Sequence, residues 1–186
     1  MTAGSARGLF LYPPARMKAY EIFRHLSNDE IDAVVLTACK DDEIPDKIAG
    51  GVLTYQAIPY KRFARLPEEQ RKGYVRRTLR NKRGADLALF VLSAALTRSQ
   101  KKLISFFLDE TGLPHEGPSL SIEGEVPEPS PEKVSAAVDA TLKKYEPRDV
   151  AIYLHAFSSQ PDVRWTTLNE RLASDVALRL EDRSAS

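Results

Sequence analysis

Glu21 and His25 stand four residues apart in AYEIFRHL, where Ala19, Ile22, Phe23 and Leu26 recur at helical spacing. On a helix the two polar side chains face the same way. A carboxylate beside an imidazole can bind a metal or move a proton. Metal sites in helical bundles, however, take Glu and His three apart and draw matching ligands from other helices. The sequence holds no second pair of that kind, so a local contact on a helix surface is the simpler reading. A second acidic cluster, DDEIPD, places Asp41, Asp42, Glu43 and Asp46 within six residues. A calcium loop would need glycine at its turn and a closing glutamate, and both are missing. Pro45 suits the first turn of a helix, where carboxylates are favoured by the helix dipole. This cluster is therefore expected to be a helix start.

The remaining reactive side chains point the same way. Cys39 falls on the apolar side of a helical pattern and reads as a small core residue rather than a nucleophile. His115 belongs to a loop, and His155 follows the apolar run AIYL as an expected buried, hydrogen-bonded histidine. Trp165 reads as core. AGGV at 49–52 has neither the spacing nor the Lys-Ser/Thr ending of a phosphate-binding loop, and no nucleophile elbow or paired-histidine metal motif occurs. No catalytic residue, metal ligand or cofactor is assigned, and the chain reads as non-enzymatic.

Charge is the stronger signal. The stretch KRFARLPEEQRKGYVRRTLRNKR, residues 61–83, holds ten Lys or Arg and two Glu. Pro67 opens a helix expected to run over 68–83, with Gly84 as its stop. At 100° per residue Lys72, Arg76, Arg77, Arg80 and Arg83 share one broad arc, while Tyr74, Val75, Thr78 and Leu79 gather elsewhere with Arg71 and Lys82. Lys72–Arg76 and Arg76–Arg80 are like-charge pairs at i,i+4, each unfavourable by a few tenths of a kcal/mol, and an anion alongside would relieve them. The candidate binding residues are thus Arg71, Lys72, Arg76, Arg77, Arg80, Lys82 and Arg83. They read first as a solvated helix face, then as the seat of an acidic protein surface, then as a phosphate-binding stripe for nucleic acid. Only Phe63 and Tyr74 interleave as aromatics, which is thin support for base stacking.

The elements carrying these residues are helical almost throughout. Ser27 with Glu30 three residues on forms a capping-box pattern, followed by Ile31, Val34, Val35, Ala38 and Cys39 at helical period. Ile48, Val52 and Tyr55 continue it, although Gly50-Gly51 sits mid-pattern and a strand at VLTYQAI competes there. ADLALFVLSAALT is apolar nearly all round, as in a helix buried on most sides. SQKKLISFFLDETG is the next helix. Five prolines and a run of glutamates then interrupt the chain over 113–131, where Leu120, Ile122 and Val126 are available to pin a surface crossing. Helices follow from Val134, from Pro147, and from Pro161 with Trp165, Leu168 and Leu172 aligned.

The expected fold is all-α: a compact, bundle-like domain of about seven or eight short helices. Its expected parts are a mobile segment 1–14, a main helical domain 15–112, a crossing 113–131, C-terminal helices 132–177 packing on the main domain, and a frayed tail 178–186. With 186 residues, 42% hydrophobic and 28% charged, the composition is that of a globular domain. One cysteine excludes an intrachain disulfide and fits a reducing, cytoplasmic setting. LFLYPPA near the start is too short for a membrane span and lacks the form of a secretory signal, so no membrane partner is expected. Net charge is −2 over 1–60, +8 over 61–112 and −5 over 113–186. The most natural role is a protein-interaction module, with nucleic-acid binding through the basic helix as the alternative.

Overall fold

A computed structural model describes residues 16–40 and 43–183. The expected mobile segment 1–14, with LFLYPPA, lies outside the described residues, as do Asp41 and Asp42 of the acidic cluster. Within the described residues are ten α-helices: α1 Ala19–Arg24, α2 Asn28–Ala38, α3 Ile44–Gln56, α4 Tyr60–Ala64, α5 Glu68–Leu79, α6 Ala85–Ser99, α7 Lys101–Thr111, α8 Pro131–Lys144, α9 Pro147–Ser159 and α10 Thr166–Ser174. A minimal antiparallel hairpin pairs β1 His115–Glu116 with β2 Ser119–Leu120. The domain is all-α and compact, with more helices than the expected seven or eight. Part of the excess is α4, a single turn beginning after Pro59 that lacks the length to show a period. None of the described helices is long and apolar enough to cross a membrane.

Local chemistry sets the helix boundaries. The Ser27 hydroxyl accepts the Glu30 N–H at 3.1 Å and the Glu30 carboxylate accepts the Ser27 N–H at 2.7 Å, a reciprocal cap that starts α2. Pro45 lies in the first turn of α3 and Pro131 in that of α8, where the missing N–H costs nothing. The Gly50-Gly51 pair does not break α3, and no strand forms there. Gly51 instead lets α6 approach, since a Cβ on it would meet Leu87 Cδ2 at 2.8 Å.

The apolar α6 is the hub. It packs against α1, α2, α3, α5, α7 and α9, and its Val91 and Leu92 are fully buried. On its far side an aromatic cluster joins α7, α9 and the chain before α10, with Phe157 and Trp165 ring centres 5.1 Å apart and Phe107 and Phe157 5.7 Å apart.

Three boundaries differ from the sequence reading. The basic helix stops at Leu79 rather than at 83, and a 3₁₀ turn, Lys82–Gly84, follows. Gly84 allows that corner, because a Cβ there would collide with the Thr78 carbonyl. The final helix begins at Thr166 instead of Pro161. Residues before it are extended, so that Val126 pairs with Val163 as an isolated parallel bridge, the Val126 N–H donates to the Asp162 carbonyl at 2.8 Å, and the Trp165 indole N–H donates to the Val126 carbonyl at 3.1 Å. These bonds attach the proline-rich crossing to the body. Finally, residues 178–183, expected to fray, are anchored. Leu178 and Leu180 are buried, and the Leu178 carbonyl is bonded by the His155 ring at 3.1 Å.

Candidate docking groove and basic face

Helix α5 carries most of the predicted site, and its cations divide by direction. Arg76 turns inward. Its Nε donates to Asp32 Oδ1 at 2.8 Å, its Nη2 to Asp32 Oδ2 at 2.6 Å, and its Nη1 to Glu69 Oε1 at 2.6 Å. The side chain is only 14% exposed. The hydrogen bonds it donates to Asp32, with that to Glu69 adding to them, hold its basicity above the ordinary arginine value. Arg80 also turns inward, donating to the Phe23 carbonyl at 3.2 Å, the Leu26 carbonyl at 2.7 Å and Asn28 Oδ1 at 3.0 Å. It thereby closes the end of α1 and the corner into α2. Burial pushes its basicity down, and Arg76 adds to that. Lys72 lies 3.0 Å from Glu68 and 3.9 Å from Asp32.

The other four cations face outward. Arg71, Arg77, Lys82 and Arg83 are exposed. Arg77 lies over the Tyr74 ring at 5.5 Å, and neither Arg71 nor Lys82 pairs with a carboxylate among the described residues. The acid that relieves the Lys72–Arg76–Arg80 row therefore comes from Asp32, Glu68 and Glu69. Asp182, in the net-negative last third of the chain, adds to this at Arg80.

Beside α5 runs an apolar groove of about 410 Å³. Val35, Leu36 and Cys39 of α2 form one wall and Val75 of α5 the other, with Ile48 of α3 and Phe63 of α4 in the lining. Leu36 is 70% exposed at the groove. Asp32, Glu68, Arg71 and Lys72 also border it. Asp32 and Glu68 hold Arg76 and Lys72. The border cation without a direct carboxylate contact among the described residues is therefore Arg71, which acts on Glu68 only through space. Sequence periodicity did not single out Leu36. It follows Ile31, Val34 and Val35 of the α2 stripe and matches them in type, and only its exposure in the fold shows that it looks outward.

The other chemical candidates stay apart from this groove or are inert within it. Glu21 does not bond to His25. Its carboxylate accepts from the Lys18 N–H at 2.7 Å and the Tyr20 hydroxyl at 3.1 Å. No three His, Cys, Asp or Glu side chains among the described residues are grouped to hold a metal ion. His155 is buried and bonded, and burial lowers its pKa below the ordinary histidine value. His115 bridges the Gly117 carbonyl at 2.7 Å and Asp109 at 3.0 Å. Burial raises the Cys39 thiol, which disfavours the nucleophilic thiolate.

No protein-family model, curated protein or solved structure matches this chain.

Proposed function

We propose that this protein is a non-enzymatic interaction module that docks an acidic, amphipathic helix of a partner protein in the groove between α2, α3 and α5. The observation that carries this reading is Leu36, a large apolar side chain 70% exposed on a groove that Val35, Cys39, Ile48, Phe63 and Val75, all half-buried or buried, also line. A groove between helices fits an apolar helix face with anchors at i, i+3 or i+4 and i+7. Charge selects what flanks those anchors. The border's cation without a direct carboxylate contact is Arg71, and Arg77, Lys61, Arg62 and Arg65 are exposed on α5, on α4 and in the turn between them. An acidic flank would meet them and steer the encounter. The single cysteine supports a reducing compartment, and we place the module in the cytoplasm.

The test is a helical-peptide display selection on the whole protein, with counter-selection on Leu36→Asp. The change is at an exposed position, so the variant should keep the wild-type thermal transition. Enrichment of acidic peptides with apolar residues at helical spacing, lost on the variant, supports the module. A labelled mixed-sequence oligonucleotide is titrated beside it. If the oligonucleotide binds, weakens steeply with salt and ignores Leu36→Asp, the exposed cations serve nucleic acid and the groove reading is replaced.

A further inference from the structure

A second concavity lies between α1, the 3₁₀ turn at 82–84 and the start of α6. Its volume is about 830 Å³, within the roughly 300–1,000 Å³ typical of small-molecule sites. Four cationic side chains line it: Arg16, Lys18, Arg24 and Lys82. Two carboxylates, Glu21 and Asp86, line it as well. Glu21 accepts from the Lys18 N–H and the Tyr20 hydroxyl and keeps its charge. Four cations against two carboxylates leave the lining net positive.

The hydrogen-bond balance points to a missing acceptor. Arg16 Nη2 donates to the Gln160 carbonyl at 2.7 Å, but its Nε is buried with no partner among the described residues. His25 Nδ1 is likewise buried with no partner among them. Both residues line this cleft. An arginine N–H can only donate, and leaving a buried donor unmet costs on the order of 1–3 kcal/mol. Burial, and then the nearby Arg164, lower the basicity of Arg16, which an adjacent anion would restore. The N-terminal turn of α6, a 15-residue helix, opens on the same space through Ala85 and Asp86. Its dipole favours negative charge there, although Asp86 already occupies part of that field. Met17 and Leu89 supply an apolar wall for the body of a ligand.

We propose that this cleft binds a small phosphate-bearing molecule, with the phosphate between Arg16 and Lys82 and the rest of the ligand against Met17 and Leu89. The inference does not depend on the α2–α3–α5 groove, whose lining residues are different.

The experiment is a ¹H–¹⁵N NMR titration of the whole protein with inorganic pyrophosphate and with adenosine monophosphate at low ionic strength. The expected result is saturable shifts centred on His25 and Leu89, with a Kd of about 1 mM or tighter for at least one probe. Arg16→Gln and Lys82→Gln should each weaken it by about tenfold. Lys143→Gln, on α8 and outside the cleft, should leave it unchanged. Lys82 is exposed, so its variant remains informative even if Arg16→Gln perturbs folding. The proposal is overturned if neither probe gives saturable shifts. It is equally overturned if the shifts scatter over the exposed cations of α5, or if Lys82→Gln binds like the wild type.

Discussion

Arg76 on α5 grips Asp32 on α2 through two hydrogen bonds, 2.8 Å from Nε to Oδ1 and 2.6 Å from Nη2 to Oδ2. The planar guanidinium matches the carboxylate at both oxygens, a fit that lysine cannot reproduce. One turn later Arg80 reaches the carbonyls of Phe23 and Leu26. The two arginines therefore fasten α5 across the α1–α2 corner. Arg24 returns the contact, donating from Nε to the Arg80 carbonyl at 2.9 Å. Part of a basic run that resembles a binding stripe is thus used within the fold.

This division predicts a split in stability. Arg80→Ala strips donors from two carbonyls and Asn28, and should cost about 2–3 kcal/mol. Arg76→Ala should cost about 1–2 kcal/mol, because Asp32 keeps some access to water. Arg71→Ala and Lys82→Ala should stay within about 0.5 kcal/mol of wild type. Urea unfolding of the four variants measures the split, and equal losses at all four positions would contradict it.

His155 predicts a pH dependence of known sign. Burial holds its folded pKa below the unfolded value of about 6.5. Between those two values the unfolded chain binds more protons, so acidification destabilises the fold. Above the unfolded pKa this residue costs nothing. The thermal midpoint should therefore fall as pH is lowered from about 7.5 to 5.5, with a slope of at most about 1.4 kcal/mol per pH unit from this site. His155→Gln keeps an amide N–H for the Leu178 carbonyl and cannot titrate, so it should flatten that part of the profile.

Trp165, the chain's only tryptophan, is 1% exposed and reports on the crossing through its bond to Val126. Val126→Ala should loosen the crossing at a cost on the order of 1–2 kcal/mol. Acrylamide quenching of Trp165 should rise in this variant while remaining low in the wild type.

Cys39 links reactivity to the groove that it lines. Its raised pKa leaves little thiolate at neutral pH, so iodoacetamide should label it more slowly than a free cysteine. A ligand seated in the groove should slow it further. Pyrophosphate should not affect the rate, because its proposed cleft lies between α1 and α6.

Much of the fold was legible because its signals are local. The Ser27–Glu30 cap, the apolar α6 and the prolines of 113–131 each carry their reason within a few residues. The direction of the α5 cations was not. A helical wheel groups Lys72, Arg76 and Arg80, but whether that row meets water or Asp32 depends on how α2 crosses α5, forty residues away in sequence. The lost last turn of the basic helix is a local matter: Gly84 folds back against Thr78 at the end of α5, a close approach that helical periodicity does not register. Extended pairing of Val126 with Val163 overrode Pro161 as a helix start. The groove was illegible for a related reason: Leu36 differs from its core neighbours only in having no helix packed over it.

The most direct test places p-benzoylphenylalanine at position 36 of the full chain in its native cells, irradiates, and sequences the captured segment. The account predicts a covalent adduct with an acidic protein segment bearing apolar residues at helical spacing. Arg71→Glu in the same chain should weaken that adduct. A nucleic-acid adduct would contradict the account. So would the absence of any adduct at 36 while the same probe in place of Arg77 captures a partner.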